Sequence, residues 1–347
     1  MEKHFICHEQ SLGDALVRLN SLSGKTMTLL VVDSGDRLVG TLTDGDLRRA
    51  FIAGLTTADN IARAMHRDFS ALRPEDCPVE VIADCRSRGI ALLPQLDAEG
   101  KVSRVIDLNV VKSLLPVSAF LMAGGEGVRL RPLTLTRPKP LLEVGGKAII
   151  DHNIERLLAY GVTNITVCCR YMAEQIEAHV SQTFPDAGIK FVTEAKPLGT
   201  IGALALAGDP VEATVLVMNS DLLTDLPFDR MFLHHRRSQA AITVAAIPYT
   251  VSVPYAILET RDDAITEIRE KPTFSYYANG GIYLLSQDTV KLIVGGQRLD
   301  APELIESVVQ AGRKVSYFPF NGLWIDIGTP ADYQQARQIV GKQKPGF

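Results

Sequence analysis

From Phe120 to Glu194, strand-length apolar runs alternate with helical patterns, and that order leaves few folds open. "SAFLMAGG" reads as a strand entering a glycine loop, and "GKAIIDHNIERLLAYG" as a helix stopped at Gly161. "NITVCCR" reads as a strand, "MAEQIEAHVSQTF" as a helix and "IKFVTE" as a strand. "IGALALAG" then continues as helix and "TVLVMNSD" as strand. Parallel neighbours need a crossover helix, so this order predicts an α/β fold with a doubly wound, mostly parallel sheet. Such sheets hold ligands outside the carboxyl ends of their strands. Residues 240–330 are strand-rich, with predicted turns at Arg261-Asp262-Asp263 and Asn279-Gly280-Gly281, and read as an antiparallel extension.

A repeat precedes this region. "TLLVVDSGDRLVGTLTDGDLRRAF" (Thr28–Phe51) and "IALLPQLDAEGKVSRVIDLNVVKSLL" (Ile90–Leu115) align with Asp33 on Asp97, an offset of 64 residues. Each follows a helical pattern, opened by Ser11 in one case and by Pro74-Glu75 in the other. The expected unit is helix, strand, turn, strand, helix, present twice around one shared core. "GTLTDGD" (Gly40–Asp46) carries a resemblance to a tandem pair of CBS domains, an adenosyl-nucleotide sensing module of α+β fold. That resemblance spans residues 1–115 and implies an adenine nucleotide held by Thr43 and Asp46. The same two residues also suit a plain helix cap. The second copy has Asp107 and Val110 in those places, so at most one such site is expected. Pairs of this kind regulate or oligomerise what they are fused to, implying a homo-oligomer.

With 347 residues the chain is long enough for two domains. A net charge of −4 gives no overall basic field, so nucleic acid is not an expected partner and any phosphate site must be local. The five cysteines are odd in number and contain no C-x-x-C pair, which fits a reducing cytoplasm better than a disulfide framework or a zinc site. The first residues, "MEKHFICHEQSLGD", lack the apolar core of a signal peptide. Ala240–Leu258 carries no charge, but Pro248 and Pro254 make two buried strands the expectation rather than a membrane span. His234-His235 is expected on a surface helix.

"LMAGGEGVRLRPLTLTRPKP" (Leu121–Pro140) joins glycines, which let the backbone approach phosphate oxygens, to Arg129, Arg131 and Lys139. It matches neither a dinucleotide fingerprint nor a P-loop. Prolines 132, 138 and 140 stiffen the segment and lower the entropy lost in holding Lys139. The longer run "GGEGVRLRPLTLTRPKPLLEVGGKAII" resembles the signature of sugar-1-phosphate nucleotidyltransferases, the nucleotide-sugar pyrophosphorylases. "EAKPLGTIGAL", "NSDLLTD", "EKP", "NGGIY" and "WIDIGTPADY" follow in that family's order. The resemblance spans about residues 118–340 of a domain placed at 118–347 and implies the Rossmann-like nucleotide-diphospho-sugar transferase fold.

The resemblance implies attack of a sugar 1-phosphate on the α-phosphorus of a nucleoside triphosphate, with release of pyrophosphate. It assigns Arg129 and Lys139 to catalysis, gripping the triphosphate and stabilising charge on the α-phosphate. Leu121, Ala123, Gly124, Gly125, Glu194 and Gly199 fall at the nucleotide. Glu270, Lys271 and Asn279 fall at the sugar phosphate, although Glu270 and Lys271 also suit a simple turn. Asp221 and Asp326 are the implied Mg²⁺ ligands. A carboxylate at Glu194 accepts from two adjacent donors, as on guanine, and is repelled by the carbonyls that flank a pyrimidine N3–H. GTP is therefore the favoured donor, with UTP, CTP or dTTP as alternatives. Mannose 1-phosphate and glucosamine 1-phosphate are the expected acceptors, in glycan or nonulosonic acid synthesis. A catalytically silent nucleotide-sugar sensor is the competing reading. Val128, Ala148 and Ala256 depart from the family pattern. With only a short stretch after Tyr333, the C-terminal β-helix of many relatives is not expected in this chain.

Overall fold

A computed structural model describes residues 2–22 and 26–342 and divides the chain after Leu115. One unit comprises residues up to 115 with 159–161, and the other comprises 116–158 with the remainder. Residues 1, 23–25 and 343–347, which the two expected domain spans take in, lie outside the described residues.

The first unit contains β1 (Phe5–Cys7), α1 (Leu12–Asn20), β2 (Thr28–Val32), β3 (Leu38–Thr43) and α2 (Asp44–Ile52). Then come α3 (Pro78–Ser87), β4 (Leu92–Leu96) and β5 (Val102–Asp107). The offset of the repeat holds residue by residue. Strands β2 and β3 match β4 and β5, and the register shift at Val31/Val32 recurs at Gln95/Leu96. Asp33 Oδ1 accepts from the Gly35 and Arg37 amides; Asp97 Oδ1 accepts from Glu99 and Lys101 in the same way. Leu30, Leu38, Leu92 and Leu96 of both copies meet in one buried cluster with Ala71.

The second copy departs at its end. The expected helix after β5 is only a turn, in which the Val110 and Val111 amides donate to the Asp107 carbonyl. The Arg86 guanidinium takes the Leu108 and Val111 carbonyls, acceptors that a continuing helix would have used.

The second unit begins with β6 (Val117–Ala123), β7 (Glu143–Val144), β8 (Lys147–Ala148), α4 (Ile149–Ala159), β9 (Asn164–Cys169), α5 (Ala173–Thr183) and β10 (Lys190–Thr193). It continues with α6 (Gly199–Gly202), β11 (Thr214–Asn219), β12 (Leu222–Thr224), α7 (Phe228–Ser238), β13 (Ile242–Ser252), β14 (Ile257–Arg261) and β15 (Ala264–Arg269). Last are β16 (Thr273–Ser286), α8 (Gln287–Val290), α9 (Ala301–Gln310), β17 (Val315–Pro319), β18 (Trp324–Asp326) and α10 (Pro330–Lys342). The central sheet has the order β10-β9-β6-β11-β16-β13-β17. All neighbouring pairs are parallel except those made by β16, which runs antiparallel to both β11 and β13. This is the α/β, mostly parallel sheet expected from the alternation. Phe120, Val217, Leu285, Leu304 and Val308 pack between the sheet and α9.

Three expectations change here. Within Ala240–Leu258, Ile242–Ser252 is one long strand, β13, buried at Ile242 but exposed from Pro248 to Ser252, and the start of β14 follows. Asn279-Gly280-Gly281 is not a turn but lies inside β16, opposite the register shift between Val244 and Ala246. Gly281 takes φ +68° there, the mark of a bulge rather than of a chain reversal. The predicted turn at 261–263 does form, with Asp262 and Asp263 both left-handed between β14 and β15. His235 is on a helix but buried, its Nδ1 2.8 Å from the Thr243 hydroxyl, because α7 lays that face on the sheet.

No described helix is long and apolar enough to cross a membrane.

Candidate active site

Two carboxylates more than a hundred residues apart in sequence meet through strand pairing. Asp221 follows β11 with only Ser220 between, and Asp326 closes β18. Strand β12 pairs antiparallel with β18 in a register that sets Leu222 against Asp326. The Ile327 amide donates to the Asp221 carbonyl at 3.1 Å, closing that ladder. Ser220 anchors the turn, its amide and hydroxyl both donating to the Met122 carbonyl.

The segment Gly124–Leu142 supplies the positive charge. It is irregular, with single turns at Val128–Leu130, Leu133–Leu135 and Lys139–Leu141. Gly127 has φ +61°, and a Cβ there would lie 2.9 Å from Thr134 Cγ2 and 3.1 Å from Lys139 Cβ. The glycine thus lets the backbone sit directly on the lysine stem. The Thr134 hydroxyl donates to the Gly127 carbonyl at 2.8 Å. Leu130 and Leu142 bury against Leu223, Ile325 and Ile327, tying the segment to the strands that carry the two aspartates.

Lys139 is buried, with 8% of its surface exposed. Its Nζ donates to Asp221 Oδ2 and lies 3.8 Å from Asp326 Oδ1. The other Asp221 oxygen, Oδ1, is buried with no hydrogen-bond partner among the described residues. Burial pushes the Asp326 carboxyl above the usual carboxylate range; the Asp221 charge adds to this, while Lys139 and Arg129 oppose it. Arg129 is exposed, and its guanidinium rests against Gly328, two residues beyond Asp326.

Beside this cluster lies a cavity of about 280 Å³. Gly124, Gly125, Arg170, Glu194, Gly199 and Thr200 line it with Met122, Pro197, Asn219, Asp221 and Asp300. It opens at the carboxyl ends of β6, β9, β10 and β11, where a parallel sheet places ligands. Glu194 is buried, and its Oε2 accepts from the Leu198 amide at 2.8 Å. A Cβ on Gly124 would come within 2.8 Å of Glu194 Oε1, so a side chain here would displace that carboxylate.

Of the residues singled out from the sequence, Gly124, Gly125, Glu194, Gly199 and Asp221 line the cavity, and Lys139 and Asp326 join it through Asp221. Leu121 and Ala123 are buried in β6 and do not line it. Asn279 lies near the site, since Gly281 packs on the amide of cavity-lining Asn219 and the Trp324 indole donates to the Gly280 carbonyl. Glu270 and Lys271 sit exposed in the bend between β15 and β16, away from the cavity lining, with Lys271 at φ +41°. Thr43 and Asp46, in the first unit, form a reciprocal cap on α2: the Thr43 amide and hydroxyl both donate to Asp46 Oδ2, and Arg49 takes Oδ1.

Sequence reasoning passed over Arg170, Thr200, Asn219 and Asp300. Arg170 was findable as the first charged residue after the apolar strand "NITVCC". Its guanidinium donates to Glu126 of the glycine loop at 3.2 Å. Asp300 gave no such signal, since only the fold brings its Oδ1 to the Thr200 amide, a hundred residues away, at 2.9 Å.

Residues 118–343 match the family described as nucleotidyl transferase. A mannose-1-phosphate guanyltransferase of Schizosaccharomyces pombe is 33% identical over 229 residues, covering 62% of each chain. Mannose-1-phosphate guanyltransferase beta-A of Xenopus laevis is 32% identical over 226 residues, again 62% of each chain. The present chain thus spans about 62% of the length of these curated relatives. Among solved structures, HddC from Yersinia pseudotuberculosis superposes with a TM-score of 0.51 at 23% identity, over 64% of this chain and 99% of that one. The same protein has been solved in complex with GMP-PN.

Proposed function

Because the chain belongs to the nucleotidyl transferase family, we propose that it transfers a nucleotidyl group from a nucleoside triphosphate to a sugar 1-phosphate, releasing pyrophosphate. The observation that carries this reading is the buried Lys139 set between Asp221 and Asp326, beside a glycine-lined cavity at the strand ends. The triphosphate lies along the glycine loop, whose bare backbone admits phosphate oxygens. Lys139 and Arg129 neutralise charge on the phosphates as the α-phosphorus is attacked in line. Catalysis is then mainly positioning and charge stabilisation, as in other phosphoryl-group chemistry.

Asp221 and Asp326 fit Mg²⁺: both are hard oxygen donors, both lie against the Lys139 ammonium, and Asp221 Oδ1 is buried without a partner among the described residues. Two carboxylates with substrate phosphates and waters form a usual Mg²⁺ site, and the bound ion would supply Lewis-acid neutralisation of the phosphates. Glu194 favours GTP as donor. Its free oxygen suits the adjacent N1–H and amino donors of guanine, Oε2 being fixed by Leu198. The names of the relatives support the same base, and mannose 1-phosphate as acceptor, with glucosamine 1-phosphate as the alternative. Glu270, Lys271 and Asn279 would meet the sugar phosphate, the first two requiring the β14–β15 region to approach. The first unit is read as a CBS pair that regulates the enzyme or links its copies.

The test is a matrix of GTP, UTP, CTP and dTTP against hexose and hexosamine 1-phosphates, read by pyrophosphate release and product mass. Turnover is expected with GTP and mannose or glucosamine 1-phosphate. Absence of turnover with every pair would overturn the reading.

A further inference from the structure

We infer that Lys139 is the resident counter-ion of the Asp221–Asp326 pair, and that a divalent cation gains these carboxylates only when a triphosphate draws the ammonium away. The inference rests on the proposed nucleotidyl transfer but concerns the chain before substrate arrives. Backbone pairing of β12 with β18 holds Asp221 and Asp326 on neighbouring strand ends, so the fold keeps two like charges close together. Lys139 Nζ bonds Asp221 Oδ2 and lies 3.8 Å from Asp326 Oδ1, so a cation held by these carboxylates would compete with it. Arg129, against Gly328, is a second cation near Asp326, but it is exposed and its charge is better screened.

The lysine backbone is fixed. Pro138 and Pro140 flank it, Gly127 packs on its Cβ, and Leu142 anchors the segment in a buried cluster. Only the side chain can move, and an ammonium on a four-carbon stem can swing from carboxylate to phosphate without loop motion. Ammonium and metal exclude one another at Asp221, while triphosphate and ammonium attract. Triphosphate and metal are therefore positively coupled through Lys139, and by linkage each raises the affinity of the other. The unpartnered Asp221 Oδ1 fits this, since the single ammonium serves only the other oxygen and leaves the site one donor short.

The test uses the full-length chain without nucleotide or sugar and follows free Mn²⁺ by electron paramagnetic resonance. The wild-type chain should bind Mn²⁺ weakly. Lys139→Met should bind one Mn²⁺ per chain at least about tenfold tighter, the factor expected when a competing charge is removed. Adding Asp221→Asn should abolish the gain. Circular dichroism melts check folding, and Lys139→Gln, which keeps a hydrogen-bond donor but drops the charge, repeats the comparison if the methionine variant is unstable. A variant that folds only when Mn²⁺ is present also supports the exchange. Equal Mn²⁺ affinity in wild type and variants, or variants that stay unfolded even with Mn²⁺, overturns it. Because no substrate is present, this outcome is separate from the substrate matrix: turnover without an Mn²⁺ gain sinks the counter-ion role alone.

Discussion

At the scale of single residues, Glu194 and His235 are two polar side chains that the fold buries. Glu194 has one oxygen fixed by Leu198 and the other against Gly124. Glu194→Gln replaces a pure acceptor by a group that also donates, so the preference for GTP over UTP should fall by about 10-fold or more in kcat/KM, as expected for mispaired buried polar groups. Unchanged selectivity in competition assays would remove Glu194 from base recognition. His235 is held neutral, burial lowering its pKa from 6.5 to about 4. The unfolded chain therefore takes up that proton first. The stabilising contribution is full above pH 6.5 and declines as pH falls toward 4, at up to about 1.4 kcal/mol per pH unit. Thermal melts from pH 7 to pH 4 should show His235→Asn losing less stability on acidification than wild type. Glu194 could be singled out from "EAKPLGT" by residue type, and it does line the cavity. The histidine was misread as a surface residue because only the packing of α7 on the sheet buries it.

Elements tell a similar story. The alternation of strand and helix from Phe120 to Asn219 was readable because apolar period and glycine stops are local signals. Asn279-Gly280-Gly281 looked like a turn for an equally local reason, its glycines. The partner strand β13 converts it into a bulge inside β16, which then lies over Asn219. The repeat offset survived translation into structure down to its bulges, yet the last helix of the second copy did not form, since Arg86 captures the carbonyls it needed. The α2 cap is the testable element. Thr43 and Asp46 bond each other, so Thr43→Val should cost about 1 kcal/mol of stability through the lost cap. Chemical denaturation would measure that loss. If adenine-nucleotide binding also disappears by calorimetry, the pair has a second role beyond capping.

For the molecule as a whole, the two units have separate cores, one formed by a repeated half and one by a seven-stranded sheet. The proposal that the first unit regulates the second predicts that ATP or AMP, added to the full chain, shifts turnover or sedimentation at micromolar-to-millimolar concentration. Identical activity and sedimentation across that range would leave the first unit no nucleotide-sensing role.

By itself the sequence determined the α/β class, the repeat, the chain order of the motif pieces and the identity of the charged groups Arg129, Lys139, Asp221 and Asp326. These follow from local periodicity, turn chemistry and residue type. The tertiary structure alone decided that Lys139 bonds Asp221 while standing near Asp326, that Arg170, Thr200, Asn219 and Asp300 share the cavity, and that Glu270 and Lys271 stand apart from it. The reason is strand pairing across long sequence separations. The register of β12 on β18 fixes which carboxylates meet, and no local pattern in either segment encodes that register.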